Sequence, residues 1–329
     1  MAISGSTSPT MLAAVAARTD PRDPLSGLSM RQVPVPDPPL HWSVVDVRSA
    51  TLNHHDLWSL RGVGLPEDRL PMILGTDAAG VTADGREVVV HSVVGATGHG
   101  VGPDETRSLL SERFPGTLAE KVAVPTWNLV PKPAELTFEE AACIPTAWLT
   151  AYRTLFTAAG VEPGDRVLIQ GAGGGVSSAA LLLGVAAGME MVVTSRDAGK
   201  RERALRLGAV AAVEPGARLP FRVDAVVESV GAATWAHSIR SLRPGGTVVV
   251  VGATSGDQPG AELTRVFFTE LRVVGVTMGS KEELVSLLRF LVRTGVRPVI
   301  DSVHPLAEAP RALARLASGD HFGKIVLTV

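Results

Sequence analysis

Residues 166–184 read RVLIQGAGGGVSSAALLLG, and the order of residue types there decides the fold class. Aliphatic and β-branched residues run to Gln170, a glycine-rich turn follows, and an apolar, helix-compatible run opens at once after it. That succession of buried strand, tight reversal and helix belongs to a parallel α/β unit, in which helices cover the sheet. Working outward, the same alternation repeats. Short apolar strands are predicted over Met191–Ser195, Val223–Ser229, Gly246–Val251 and Arg272–Met278, with helices over Ala198–Leu207 and Lys281–Thr294. The expected architecture is α/β, with a doubly wound parallel sheet.

Upstream the rhythm differs. From Met11 to about Pro131, short β-branched runs such as WSVVDVRSATL and REVVVHSVV are broken by Gly and Pro, which predicts a mostly β domain with irregular loops. Residues 1–10 read as a disordered tail, residues 95–116 as a long surface loop, and Phe138–Ala159 as a helix. The C-terminal part, VIDSVHP, a helix over Ala307–Leu316 and KIVLTV, looks like a return to the first domain.

Composition narrows the function classes. The chain has 329 residues, 45% hydrophobic and 19% charged, enough for two cores. A net charge of −2 gives no footprint for nucleic acid or an anionic membrane. The single cysteine, Cys143, excludes an intramolecular disulfide and any multi-cysteine metal site, which makes a reducing cytoplasm the default. The longest apolar run, Ala179–Met189, is too short to span a bilayer.

The glycine turn carries the first chemical inference. Gly171 permits the tight turn, Gly173 and Gly174 admit a pyrophosphate close to the backbone, and Gly175 and Val176 open a helix whose unpaired N–H groups favour an anion. Ser177 stands where a third glycine is usual. The second strand ends in Thr194-Ser195-Arg196, with Lys200 a helical turn on, where NAD-binding folds place an acid for the ribose 2′-hydroxyl. Ser195, Arg196 and Lys200 suit a 2′-phosphate instead, so NADPH is the expected cofactor. The plainer alternative makes Arg196 and Lys200 surface charges, and Asp197 is expected to cap the following helix.

Six stretches in order, TLNHHDLWSLRG, PMILGTDAAG, GTLAEKVAVP, FEEAACIPTAWLTAYRTL, PGDRVLIQGAGGGV and HFGKIVLTV, together resemble the medium-chain dehydrogenase/reductase superfamily, within it the zinc-independent quinone oxidoreductase-like branch. The resemblance implies a GroES-like β domain over 1–147 and 279–329, interrupted by a Rossmann domain over 148–278. It implies cofactor contacts from Asn53, Thr150, Val230, Gly252, Met278 and Lys324 beside the glycine turn. Asp56 and Lys324 match a carboxylate–cation pair near the pyrophosphate, and a two-fold homodimer through the edge strand 272–278 is expected.

The positions of catalytic zinc ligands in relatives correspond to Asn53, Thr76-Asp77 and Thr146, which cannot assemble a tetrahedral zinc site. His54 and His55, if on one strand, point to opposite faces. The 95–116 loop resembles the structural-zinc lobe of relatives without its cysteines, either a remnant or a substrate lid. Asn53, His55 and Trp58 are the catalytic candidates: Asn53 as an amide for cofactor or substrate or as a turn residue, His55 as a general acid or a packing residue, Trp58 as a pocket wall or core filler. Without zinc as Lewis acid, NADPH-dependent reduction of an enone, enoyl or quinone small molecule is the leading expectation. Reduction of an aldehyde or ketone, and NADPH binding without turnover, are the alternatives.

Overall fold

The computed structural model describes residues 9–95 and 108–329. Most of the 95–116 loop and of the N-terminal tail therefore lies outside the described residues. The chain divides into two compact units, the first running to Pro145 and resuming over Ile300–Asp320 and Ile325–Val329, the second comprising Thr146–Val299 and His321–Lys324.

The first unit is built on Trp42–Thr51. This strand pairs antiparallel with Asp77–Thr82, Lys121–Pro125 and Lys324–Thr328, so it is the axis of a seven-stranded sheet. Alternation along it sends Val45 and Val47 into a core shared with Val88, Val90, Val122 and Val124. The helix Ala309–Ser318 lays Ala312, Leu313 and Leu316 on the same core. A smaller sheet joins Leu28–Pro34, Thr10–Ala16 and Met72–Ile73.

One expectation fails here. His54 and His55 are not on a strand; they open a helix, His54–Leu60. Asp56, third in that helix, accepts the backbone N–H of Asn53 at 2.8 Å, half of the capping-box arrangement that marks a helix start. Leu57, Ser59 and Leu60 face inward, while His54, His55 and Trp58 stay exposed or half-buried.

The second unit contains six strands, all parallel to their neighbours. Taking Arg166–Ile169 as first, their order is 3-2-1-4-5-6, the doubly wound order of dinucleotide-binding folds. The third of them, Ala211–Val213, was not foreseen; it is only half-buried and only three residues long. Leu168, Val192, Val226 and Val248 are fully buried on one face of the sheet. The chain is helical from Phe138 to Ala159, with wider i→i+5 turns over Ile144–Trp148 and Arg153–Ala159. Pro145, with no N–H to give, sits in the first of these.

The second unit extends past residue 278, where the sequence reading returned the chain to the first domain. The helix Lys281–Thr294 belongs with it because Glu283 pairs with Arg153 and accepts the Thr157 hydroxyl, both at 2.7 Å. Gly279 lies so close to Leu149 that an added Cβ would come within 2.7 Å of its side chain.

Gly80 tests the register of the first sheet. A Cβ there would be driven into the Asp46 carbonyl of the central strand and to 2.8 Å from Val45 Cγ1. Gly80→Ala is expected to destabilise the protein by about 1–3 kcal/mol, read as a lower denaturation midpoint. An unchanged midpoint would show that the strands separate without cost.

Candidate functional site

In the second unit the glycine turn is shaped by backbone conformation. Gly171 and Gly173 take φ of +82° and +101°, open only to glycine without strain. Gly174 is different: its φ is −69°, and an added Cβ would meet nothing nearer than Ser177 Oγ at 3.9 Å. Nothing within the unit requires glycine there. The space in front of it suits a ligand that approaches the backbone, and the helix Gly175–Ala186 begins there with N–H groups that have no carbonyl behind them.

Three of the predicted cofactor residues, Val230, Lys200 and Lys324, lie against this turn. A Cβ on Gly171 would stand 3.1 Å from Val230, one on Gly173 3.0 Å from the Lys200 stem, and one on Gly175 3.0 Å from the Lys324 stem. The Gly323 N–H donates to the Gly173 carbonyl at 2.8 Å, holding His321–Lys324 against the turn. Thr150 Oγ1 lies 4.0 Å from Met278 Sδ, and Met278 is held at φ +53°, unusual for a non-glycine residue. Gly252 lies beside Ser229, 3.2 Å separating its Cβ position from the Ser229 carbonyl.

At the end of the second strand, Asp197 caps the helix Ala198–Arg206 by accepting the Lys200 N–H at 2.9 Å. Its carboxylate is thereby engaged with the helix start, while Arg196 is exposed. Sequence reading missed Arg201, whose guanidinium donates to the carbonyls of Ser195 at 2.7 Å and Arg196 at 3.2 Å and so sets the course of that segment.

It also missed a buried polar chain beneath the turn. The Gly171 N–H donates to Thr194 Oγ1, which donates to Gln170 Oε1. Gln170 Nε2 donates to His237 Nδ1 and Ser238 Oγ, each at 2.9 Å, and Ser238 donates to Glu228. Glu228, fully buried, also accepts the N–H groups of Val230 and Gly231 and the Thr234 hydroxyl. A buried carboxylate costs several kcal/mol unless donors surround it; here those donors are the loop that carries Val230. The one sequence signal was a polar residue closing each of two apolar strands, Gln170 and Glu228.

In the first unit the candidate residues are organised by Asp77. Its carboxylate, fully buried, accepts the Thr51 hydroxyl at 2.7 Å and the Asn53 amide at 2.8 Å. The Asn53 amide also reaches Thr76 Oγ1 at 3.2 Å, so its nitrogen is turned to neighbours within the unit. Asp56 is fully buried too, accepting the N–H groups of Asn53 and Gly75. His55 Nε2 stands 3.0 Å from Glu112 and Nδ1 3.4 Å from Ser111 Oγ. Half-buried Trp58 carries the Arg61 guanidinium over its ring at 4.9 Å. Cys143 and Trp148, on the long helical stretch, are fully buried. Among the described residues no three His, Cys, Asp or Glu side chains are grouped to hold a metal, and no helix is long and apolar enough to cross a membrane.

The family described as alcohol dehydrogenase GroES-like domain matches residues 40–134, and that described as zinc-binding dehydrogenase matches 207–327. A solved NAD-dependent alcohol dehydrogenase is 33% identical, with a TM-score of 0.87 over 97% of this chain and 100% of its own. The chain belongs to the medium-chain dehydrogenase/reductase superfamily. Crotonyl-CoA reductase of Streptomyces collinus is 26% identical over 369 residues, covering 93% of this chain and 83% of the relative. A 2-octenoyl-CoA carboxylase reductase, solved with NADP and 2-octenoyl-CoA, is 25% identical, with a TM-score of 0.86 over 98% of this chain and 88% of its own. This member of the superfamily is an NAD(P)H-dependent oxidoreductase of a small-molecule substrate, with a GroES-like domain and a Rossmann-like parallel sheet.

The polar chain under its glycine turn predicts a pH dependence. Burial, the largest influence, holds the His237 imidazole below its ordinary value of 6.5, and Arg240 acts in the same direction. The neutral ring donates Nε2–H to the Ala217 carbonyl and accepts at Nδ1 from Gln170. As pH falls, the unfolded chain takes up this proton before the folded one does. The stability due to the neutral ring is therefore complete above about pH 6.5 and is lost progressively below it. Urea midpoints measured across that range should show this fall in the parent protein, and His237→Asn, which keeps an acceptor but does not titrate, should flatten it. Identical pH slopes in the two proteins would remove His237 as the cause.

Proposed function

We propose that this enzyme uses NADPH to reduce the carbon–carbon double bond of a conjugated carbonyl small molecule, an enoyl thioester or enone, without a catalytic metal. The observation that carries the reading is the Asn53 amide on Asp77 and Thr76. At the positions that match the relatives' zinc ligands, this chain supplies the Asn53 amide, the hydroxyls of Thr76 and Thr146, and the Asp77 carboxylate, which already accepts from Thr51 and Asn53. Such a donor set does not fit zinc, so a Lewis acid for an isolated ketone is missing. A conjugated acceptor needs less help, because the charge left by hydride addition spreads onto its oxygen. Quinones share that property and remain within the class. The similarity to reductases of CoA thioesters supports an enoyl substrate.

NADPH supplies the hydride when bound; the chain's residues do the rest. The N–H groups around Gly174, Gly175 and Val176 hold the pyrophosphate, and Ser195, Arg196 and Lys200 hold the 2′-phosphate. Thr150 would touch the nicotinamide, and Val230, Gly252 and Met278 would supply further cofactor contacts, with Lys324 supporting the turn. Asn53 orients the start of the helix that carries His55 and Trp58, and its amide is spent on Asp77 instead of the substrate. His55 is the proton source, and Trp58 walls the substrate.

NADPH oxidation with an enoyl thioester or enone, compared with the saturated ketone, tests the reaction. Turnover of the conjugated compound alone is expected, undiminished by chelators. Arg196→Ala should weaken NADPH binding by about tenfold, the loss of roughly one charge-assisted bond, with little change for NADH. Faster turnover of the ketone would favour the alcohol dehydrogenase reaction instead. NADPH binding without turnover of any conjugated acceptor would leave a binding protein.

We propose further that two copies join along the edge strand Arg272–Gly275, giving a homodimer. Val273, half exposed, and the exposed Leu263, Phe267 and Phe268 beside it form an apolar border that an isolated chain would leave in water. Light scattering at micromolar concentration should give twice the chain mass, and Val273→Asp should return it to the mass of one chain. A monomeric parent protein would refute the proposal.

A further inference from the structure

His55 is the second residue of its helix, and both its ring nitrogens are engaged within the first unit. Nε2 faces a carboxylate oxygen of Glu112 at 3.0 Å, and Nδ1 faces the Ser111 hydroxyl at 3.4 Å. Both partners come from the segment that follows Ser108–Leu109, and that segment is built to hold them. Glu112 Oε2 accepts the Leu109 N–H at 3.3 Å, so the carboxylate is anchored at its second oxygen. The Glu112 carbonyl accepts Arg69 Nη1–H at 3.3 Å. Gly64, at φ +75°, leaves room for the carboxylate, since a Cβ there would come 3.1 Å from Oε1. Ser111 is fully buried and held at φ +67°, a conformation a non-glycine residue adopts only where its surroundings impose it.

We propose that Glu112 is a positioning residue for the reaction: its carboxylate fixes the His55 imidazole with hydrogen on Nε2 and reserves Nδ1 for proton exchange. This rests on the reading of His55 as the proton source. An ionised carboxylate accepts only, so the ring atom facing it must carry hydrogen, whatever the charge of the ring. The remaining nitrogen alone can change state. The Ser111 hydroxyl suits both states, because it accepts from a protonated Nδ1 and donates to a bare one. In the step itself the Nδ1–H bond breaks and a C–H bond forms at the α-carbon of the substrate enolate. The imidazolium becomes neutral imidazole, its Nε2–H stays on Glu112, and solvent restores the proton between turnovers.

The test joins a spectrum of the enzyme without substrate to its kinetics. Long-range ¹H–¹⁵N NMR distinguishes the two neutral ring forms, and the His55 signals are those that vanish in His55→Phe. The parent protein is expected to show hydrogen on Nε2, and Glu112→Gln a mixture of both forms. Glu112→Gln should lower kcat by about tenfold to a hundredfold while KM stays within about twofold, because geometry is lost and substrate binding is not. Glu112→Asp should recover part of the rate. If His55→Phe is impaired while Glu112→Gln keeps either the parent ring form or the parent kcat, Glu112 has no positioning role. If His55→Phe retains full kcat, the reading of His55 as proton source falls and this inference falls with it.

Discussion

A helix that starts inside a protein leaves its first N–H groups without carbonyls, and something must answer them. The start of Gly175–Ala186 is the place on which the second unit depends. The strand Arg166–Ile169 ends beneath it, and two glycines at positive φ turn the chain over it. The stems of Lys200, from the helix after the second strand, and of Lys324, from the end of the unit's sequence, lie against the turn. Gly174 is small although no neighbour within the unit crowds it, so the backbone there is open to approach. A phosphate group meets the dipole and the bare N–H groups together.

Buried carboxylates impose a second discipline. Glu228, Asp77 and Asp56 are all removed from water, and each is surrounded by donors drawn from elements that must then hold their places. Glu228 ties the loop at Val230 to the glycine turn through Ser238, Gln170 and Thr194. Asp77 ties the end of the central strand, through Thr51, to the start of the His55 helix, through Asn53. Desolvation makes these links costly to break, because losing one partner leaves a charge in the interior with fewer donors.

Much of this was legible in the chain, where the signal was local. The helix Lys281–Thr294 has the bounds its sequence predicts, because Ser280 and Glu283 form a capping box and Gly295 ends it in a left-handed conformation. The helix at His54 carried a similar signal in Asn53 and Asp56, overlooked because the surrounding β-branched runs favoured strand. Ala211–Val213 was illegible for a different reason: it is a three-residue strand whose identity rests on pairing with Glu190–Thr194.

Sequence alone determined the parallel sheet, the glycine turn and the absence of an acid at the end of the second strand. Each depends on residues within a few positions of one another, so propensity, periodicity and side-chain chemistry suffice to read it. Only the tertiary structure decided what the polar residues do. It turned the Asn53 amide toward an aspartate 24 positions away, and put Glu112, 57 positions away, on His55. It carried the unit of the glycine turn past residue 278 through Glu283 and Arg153, separated by 130 positions. A hydrogen bond forms between atoms about 3 Å apart whatever their separation along the chain. No pattern in a linear sequence records which donors folding will bring to a buried charge.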